Sequence, residues 1–356
     1  MAIKVAIIKP VGNGCNLQCD YCYVEGRLPK IDMISINDAF RITDEVLSQD
    51  NVEQVEFLWH GGEPLLRGET FFREVFEYQK KVFRDGMPVY RNCIQSNLTL
   101  MNDDWIRFFS EYNINVSTSL DGPKYLHNAH RKSGDGKGTY DLVVDKIRLV
   151  QNAGLHINIL TVISKTNMAH ACEIFENLNA LNINSVGFLP CYISSSNGEL
   201  KYPTLDPGDY AEFIISFFEL YLKHKSSFTI REFDQMFGSI LGRRPDMCNY
   251  TGSCDNFICI DNNLEVYACD KSPHSNQYFG NLSTANLNEI LNQREHFIRD
   301  IGVMSSECTV CEYLRYCNNG CYNLRENGKY RFCEDRKKVF CFLLEFSRHI
   351  IAKGGE

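Results

Sequence analysis

The stretch GNGCNLQCDYCYVEG, residues 12–26, places three cysteines at C-x₃-C-x₂-C spacing close to the start of the chain. They are Cys15, Cys19 and Cys22, and they follow the first predicted strand, VAIIKP at 5–10. Tetrahedral zinc sites and ordinary iron–sulfur clusters use four protein ligands, whereas three thiolates can hold three irons of a [4Fe–4S] cluster and leave one iron open. An open iron can bind a substrate or a cofactor, although zinc is an alternative for clustered thiols.

Composition narrows the classes of partner and compartment. The chain has 356 residues, of which 37 are basic and 45 acidic, and it contains no run of Lys or Arg that suits a line of phosphates. We therefore expect no nucleic-acid partner. The apolar start is too short for a signal peptide, and no segment reaches ~18 consecutive apolar residues, so we expect no membrane association and a cytoplasmic location.

The sixteen cysteines fall mostly at 15–22 and 248–341. Disulfide frameworks belong to short secreted chains, whereas clustered thiols in a long intracellular chain more often bind metal. We therefore predict metal sites in both stretches.

Alternating apolar and amphipathic segments predict an α/β fold. Six short strand-like runs are separated by helix-like segments such as 35–49 and 138–154. The runs are 5–10, 54–61, 91–97, 114–122, 156–164 and 185–191. Six βα units in a row indicate a parallel sheet, whose ligands sit at the carboxyl ends of the strands. After a further helix near 207–224 the pattern changes, so we expect one domain at 1–237 and a smaller one at 238–356.

The segment WHGGEPLL, residues 59–66, ends the second predicted strand. Two glycines allow a ligand to approach the backbone closely, and free carbonyls at a strand end can accept hydrogen bonds from an ammonium group. The predicted cofactor-binding residues here are Gly61, Gly62, Glu63 and Pro64. An ordinary Gly-Gly turn closed by proline is the alternative.

Polar residues also follow the third and fourth strands, in QSNLTL (95–100) and SLDGP (119–123), and Arg131 comes shortly afterwards. Such groups converge at one sheet edge and could hold ribose and carboxylate oxygens, with Tyr21 as a stacking face for adenine. The predicted contacts are Ser96, Asn97, Ser119, Asp121, Arg131 and Tyr21. Turn closure, a surface ion pair and ordinary packing are the alternatives.

The C-x₃-C-x₂-C motif, with an aromatic residue before its third cysteine, resembles the signature of radical S-adenosylmethionine (SAM) enzymes. In that family the open iron chelates the amino and carboxylate groups of SAM, and a GGEP segment holds the methionine amino group. The resemblance implies a partial (β/α)₆ TIM-like barrel that cleaves SAM to a 5′-deoxyadenosyl radical.

The later cysteines closely resemble the SPASM extension of peptide- and protein-modifying radical SAM enzymes. That resemblance implies two auxiliary [4Fe–4S] clusters, and therefore three clusters in the chain. The first would be held by Cys248, Cys254, Cys269 and Cys321, and the second by Cys308, Cys311, Cys317 and Cys333. Cys341 is an alternative to Cys333, and a zinc ribbon is an alternative for Cys308 and Cys311. We expect Cys93, Cys172, Cys191, Cys259 and Cys341 to be buried small hydrophobes.

Asp270 directly follows one of these cysteines, in VYACD. Anaerobic sulfatase-maturating enzymes, which are relatives in the resembled family, place a proposed catalytic base at the matching position, and a turn-capping role is the alternative. The next residues, KSPHS (271–275), depart from the aromatic-rich segment of those relatives.

These resemblances imply an oxidoreductase that abstracts a hydrogen from a residue of a ribosomally made precursor peptide and forms a cross-link, for example an aromatic cyclophane. The alternative is a sulfatase-maturating enzyme that makes formylglycine from Cys or Ser, and a non-catalytic iron–sulfur electron carrier or assembly protein is the second alternative. The expected partners are the peptide and an electron donor such as a flavodoxin or ferredoxin. Because the chain starts close to the first strand, we expect the barrel, the extension or a separate partner to recognise any leader peptide.

Overall fold

All six predicted strands are present in the computed structural model, which describes residues 3–23, 32–49, 52–193, 199–224, 226, 228–271 and 277–354. The described strands are β1 (Val5–Ile8), β2 (Gln54–Trp59), β3 (Val89–Gln95), β4 (Asn115–Ser119), β5 (Ile157–Ile163), β6 (Ser185–Pro190), β7 (Thr229–Ile230), β8 (Phe257–Ile260), β9 (Glu265–Tyr267), β10 (Tyr278–Asn281), β11 (Arg325–Glu326) and β12 (Lys329–Tyr330).

Helices separate these strands in the predicted alternating order. The described helices are α1 (Ile36–Leu47), α2 (Glu69–Val82), α3 (Asp103–Glu111), α4 (Lys124–His130), α5 (Tyr140–Asn152), α6 (Ala171–Ala180), α7 (Asp209–His224), α8 (Arg231–Ile240), α9 (Cys248–Thr251), α10 (Leu287–Asn292), α11 (Glu295–Gly302), α12 (Ser306–Thr309), α13 (Leu314–Cys317) and α14 (Cys333–Gly354). None of the helices in the described ranges is long and apolar enough to cross a bilayer.

The chain packs into two units. Unit 1 comprises Met1–Ser119, Arg131–Ile157 and Cys254–Asp300, and unit 2 comprises Leu120–His130, Asn158–Ser253 and Ile301–Glu356. This division follows packing, whereas the expected boundary between residues 237 and 238 follows the change in motifs and stays a prediction.

The sheet of unit 1 has the strand order β10-β9-β8-β1-β2-β3-β4. Strand β1 pairs in parallel with both β2 and β8, so it is central, and its run VAII is almost wholly buried, as a central parallel strand requires. Sequence patterning recognised only a strand-like FICID at 257–261 and did not predict that β8 would extend the sheet beside β1. Strands β9 and β10 continue it as an antiparallel edge.

Aromatic packing and helix caps position the strands of unit 1. Trp59, the last residue of β2, packs edge-on against Phe72 of α2, with ring centroids 5.3 Å apart. Helix α1 begins after Ser35, whose side chain accepts a hydrogen bond from the Asp38 amide, which satisfies a free donor of the first turn. Burial of this apolar layer keeps the carboxyl ends of β1 and β2 in register, with Ile8 opposite Trp59.

Unit 2 contains the parallel strands β5, β6 and β7, with β6 between the other two. Helix α7 packs against α6 and α14. Asp335, in the first turn of α14, is buried, and its carboxylate accepts hydrogen bonds from the amides of Gly208 and Ala211 at the start of α7 (2.9 and 2.8 Å). A carboxylate at a helix N-terminus satisfies free amides and complements the helix dipole, so α14 and α7 are joined by more than apolar contact.

Candidate active site

The cysteine loop follows β1 directly and is closed by its own backbone. The amide of Gly14 donates to the Val11 carbonyl (2.9 Å), and the amide of Cys22 donates to the Cys19 carbonyl (3.2 Å). Gly12 has a φ of +53°, a conformation that glycine adopts at little cost. Cys15, Cys19 and Cys22 are all partly exposed on this loop.

The HGGEP segment packs backbone to backbone against the cysteine loop. The amide of Gly62 donates to the Gly12 carbonyl (2.9 Å), and the amide of Glu63 donates to the Gly14 carbonyl (2.8 Å). A Cβ atom on Gly62 would lie 1.8 Å from the Gly14 carbonyl oxygen, which is impossible without moving one of the segments. Glycine at this position is therefore required by close approach to the cysteine loop, which an ordinary turn does not require.

Glu63 is fully buried and connects HGGEP to the end of β3. Its carboxylate accepts hydrogen bonds from the Ser96 hydroxyl (2.7 Å), the Asn97 amide (2.8 Å) and the Leu65 amide (3.0 Å). Burial raises the pKa of Glu63 to about 7, although the three hydrogen bonds favour the charged form. Glu63 and Ser96 thus hold the segments around the site together, and direct contact of either residue with a cofactor stays a prediction.

Asn97 reaches the cysteine loop itself. Its side-chain nitrogen donates to the Asn16 side chain (2.9 Å) and lies 3.8 Å from the Cys15 sulfur. The end of β3 and the cysteine loop are therefore neighbours, as expected for polar groups at the carboxyl ends of parallel strands.

Tyr21 and Arg131 also lie together. Both are buried, and the Arg131 guanidinium lies 5.3 Å from the centroid of the Tyr21 ring, within the range of a cation–π contact. Their roles toward a cofactor stay predictions.

Ser119 and Asp121 fall in different units. Ser119 ends β4 in unit 1, and its hydroxyl accepts a long hydrogen bond from Gln95 (3.5 Å). Asp121 is buried in unit 2, where its carboxylate accepts from the amide of Val162 (3.0 Å). Asp121 therefore has a structural role within unit 2, and cofactor contact by either residue stays a prediction.

Asp270 lies beside both motifs of unit 1. The Tyr23 hydroxyl, just after the third cysteine of the loop, donates to its carboxylate (2.7 Å), and His60 Nε2 of HGGEP lies 3.8 Å from it. The Cys269 thiol donates to the other carboxylate oxygen (3.1 Å). Burial opposes ionisation of Asp270, but His60, Lys271 and the bond from Tyr23 hold its pKa below the ordinary value. These contacts come from side chains, which is not the pattern of a turn cap.

Three residues of this arrangement were missed by sequence reasoning. His60 and Tyr23 adjoin motifs that were recognised, and this adjacency could have identified them as residues of the site. Lys9, at the end of β1, lies 3.5 Å from Asp261 and 3.2 Å from Asn13. Nothing in the sequence pattern distinguishes Lys9 from an ordinary strand-end lysine, because its partner Asp261 is remote in the chain.

Four cysteines of unit 2 surround one small cavity. The cavity is lined by Cys308, Cys311, Cys317 and Cys333, together with Arg336 and Lys337. Cys341 is exposed, and its thiol faces Glu345 on its own helix (3.7 Å). The placement favours Cys333 over Cys341 in the predicted ligand set. Within the described residues, no group of three or more His, Cys, Asp or Glu side chains is spaced to hold a single metal ion.

The other predicted set of four is divided between the units. Cys248 and Cys321 belong to unit 2, whereas Cys254 and Cys269 belong to unit 1. Arg294, also in unit 1, is fully buried and donates to the Cys254 carbonyl (2.9 Å). The grouping of these four cysteines stays a prediction.

The five remaining cysteines were all expected to be buried. Cys93, Cys191 and Cys259 are buried, and burial raises the pKa of Cys93 to about 12, so it is an inert thiol. The expectation was wrong for Cys172 and Cys341, which are exposed. Each lies on the outward face of an amphipathic helix. Residues one or two positions away on the same helix form its buried face.

Comparison with known proteins agrees with this geometry. The Radical SAM superfamily model matches residues 10–178. The serine-type anaerobic sulfatase-maturating enzyme of Bacteroides thetaiotaomicron is 29% identical over 342 residues, covering 88% of this chain and 81% of that protein. The cysteine-type anaerobic sulfatase-maturating enzyme of Clostridium perfringens (strain 13 / Type A) is 28% identical over 355 residues, covering 94% of each.

A solved structure described as native anSMEcpe with bound AdoMet and Cp18Cys peptide matches with a TM-score of 0.88 and 26% identity, covering 99% of this chain and 100% of that one. The match confirms the predicted fold class, an α/β partial (β/α)₆ barrel with a small C-terminal domain. The chain therefore carries a radical SAM domain, and it is an enzyme related to the anaerobic sulfatase-maturating enzymes.

Proposed function

We propose that this enzyme oxidises a Cys or Ser side chain of a sulfatase to formylglycine. The observation that carries the proposal is the contact of Asp270 with both His60 of HGGEP and Tyr23 of the cysteine loop, which supports a role for Asp270 as proton acceptor near the proposed radical site. Sequence similarity to sulfatase-maturating enzymes along nearly the whole chain supports the same activity. It favours this alternative over the cross-linking reaction expected from the sequence.

The residues fit a three-ligand [4Fe–4S] cluster and SAM. Cys15, Cys19 and Cys22 would hold the cluster, and the close packing of Gly62 on the cysteine loop would hold strand-end carbonyls next to it. When bound, cluster and SAM supply the carbon-centred radical that removes one hydrogen atom from the substrate Cβ. The partly exposed thiols suit this role, because a cluster open to SAM requires an accessible face.

The chain supplies positioning and one proton acceptor. Glu63 holds the end of β3 against HGGEP, and Asn97 holds it against the cysteine loop. Asp270 would accept the proton of the substrate thiol or hydroxyl. An auxiliary cluster held by this chain would supply the acceptor for the remaining electron. One hydrogen atom, one proton and one electron are thus removed in all. Serine then gives the aldehyde directly, whereas cysteine gives a thioaldehyde that water hydrolyses with release of hydrogen sulfide.

The relatives do not decide between Cys and Ser, because serine-type and cysteine-type enzymes match about equally well. The segment at 271–275, which departs from those relatives, lies outside the described residues beyond Lys271. The proposal also includes a partner sulfatase, two auxiliary clusters, and a flavodoxin or ferredoxin as the electron donor.

The test is an anaerobic assay of the iron-reconstituted protein with SAM, a strong reductant and paired sulfatase-motif peptides that differ only in Cys or Ser. We expect 5′-deoxyadenosine together with a peptide product that reacts with a hydrazide, and sulfide release from the Cys peptide. The Cys15/Cys19/Cys22→Ala variant is the control and should give neither. SAM cleavage with a product lacking an aldehyde would instead support cross-linking, and no SAM cleavage by fully loaded protein would support an electron carrier.

A further inference from the structure

Arg336 is a buried cation on the wall of the cavity that the four cysteines of unit 2 surround. It lies one helical turn after Cys333, on α14, and only 3% of its surface is exposed. Its guanidinium stacks 3.6 Å from the centroid of the Tyr250 ring, and Nη2 donates to the Asn249 carbonyl (3.0 Å). These contacts fix the guanidinium beside the cysteines.

Among the described residues, no carboxylate forms an ion pair with Arg336, and Glu232 is the buried carboxyl that its charge influences. Burial raises the pKa of Glu232 to about 7, so this carboxyl carries only part of a negative charge near neutral pH. Nη1 of Arg336 makes no hydrogen bond of standard geometry, although the Tyr330 hydroxyl interacts with the guanidinium. Burying a cation without a partner costs several kcal/mol. A carbonyl and aromatic faces offset only part of this cost, so an anion in the cavity would complete the site.

The four thiols define the anion that fits. A [4Fe–4S] cluster bound by four thiolates has a net negative charge, and reduction adds one more negative charge. A fixed positive charge at a low-dielectric wall therefore stabilises the reduced state more than the oxidised state. Lys337 also lines the cavity, but it pairs with Glu334 (3.2 Å), and about a third of its side chain is exposed, so solvent and the carboxylate screen it.

We propose that Arg336 is the counter-ion of an auxiliary [4Fe–4S] cluster held by Cys308, Cys311, Cys317 and Cys333, and that it raises the reduction potential of this cluster. Arg336 is a positioning residue for electron transfer, since it would act through the cluster and contact no substrate. The inference rests on the auxiliary cluster of the proposed function and does not depend on which peptide is modified.

The test is a potentiometric titration, followed by electron paramagnetic resonance, of protein whose first cluster is removed by Cys15/Cys19/Cys22→Ala. Arg336→Met should lower the midpoint of this cluster by about 59 mV or more, which is a tenfold change in the ratio of reduced to oxidised cluster. Arg336→Lys keeps the charge and should change the ratio less than about threefold. Lys337→Met is the matched control and should also change the ratio less than about threefold.

An unchanged midpoint in Arg336→Met that retains the cluster would overturn the inference and leave the auxiliary cluster in place. Iron content that does not fall in Cys308→Ala or Cys333→Ala would overturn both the cluster and this inference, whereas the radical chemistry would be judged separately by 5′-deoxyadenosine production. If Arg336→Met binds no iron at this site, the unfolding of the iron-free variant is compared with that of the iron-free wild type. The counter-ion role requires that iron-free Arg336→Met unfolds no earlier than iron-free wild type, and earlier unfolding would show a merely structural role.

Discussion

Single residues hold the segments of the site together, and Gly62 shows this most clearly. Its missing side chain allows the HGGEP backbone to lie directly on the cysteine loop. Gly62→Ala would force those segments apart, so we expect SAM cleavage to be lost and stability to fall by about 1–3 kcal/mol. The measurements are 5′-deoxyadenosine yield and urea unfolding. Gly134→Ala, where an added Cβ meets nothing within 4 Å, is the control and should behave as wild type.

Asp270 allows the proton-accepting step to be separated from cofactor cleavage. Asp270→Asn keeps a hydrogen-bond acceptor for Tyr23 but removes the negative charge. We expect 5′-deoxyadenosine production to persist while the yield of oxidised peptide falls at least about a hundredfold, as loss of a general base does. Normal product yield in this variant would show that Asp270 has only a structural role.

Glu232 predicts a pH dependence of stability. This carboxyl is fully buried in unit 2, and burial raises its pKa to about 7 from the ordinary 4.5. The folded state binds this proton more tightly than the unfolded state does. The contribution of Glu232 to the free energy of unfolding is therefore greatest below about pH 4.5 and falls as the pH rises to about 7. The change amounts to about 3 kcal/mol. Urea unfolding at pH 5 and pH 8 should show a smaller difference for Glu232→Gln than for wild type; an equal difference would contradict the assignment.

At the scale of elements, the contact between α14 and α7 depends on one carboxylate. Asp335 accepts from two amides at the start of α7, and Asn can accept with only one side-chain oxygen. Asp335→Asn should therefore lower the free energy of unfolding by about 1–2 kcal/mol. Glu334→Gln, an exposed neighbour that pairs with Lys337 and Lys329, should change it by less than about 0.5 kcal/mol.

At the scale of the whole molecule, the number of clusters is a measurable property. If three clusters are present, Cys333→Ala should lower the iron content of reconstituted protein relative to wild type, whereas Cys341→Ala should leave it unchanged. The reason is that Cys333 lines the cysteine cavity of unit 2, while Cys341 is exposed on α14. Iron loss in Cys341→Ala but not in Cys333→Ala would show that Cys341, and not Cys333, is the cluster ligand. Removing the clusters with a chelator should also lower the unfolding temperature, because bound metal contributes to folding.

The sequence by itself determined the order of strands and helices and the positions of the motifs along them. Buried strands and amphipathic helices leave short-range patterns, and Gly and Cys spacings are local too, so the six strands, the cysteine loop and HGGEP were all predicted. The resemblance carried by those motifs also predicted the radical SAM class, which comparison confirmed.

Only the tertiary structure decided which distant residues meet. The Tyr23–Asp270 hydrogen bond joins positions 247 residues apart, β8 pairs with β1, and Arg336 is buried beside cysteines that precede it in the chain. Such contacts depend on strand register and on which face of an element is buried. No local periodicity records them, and this is why the contacts of His60, Tyr23 and Arg336 could not be predicted from the sequence.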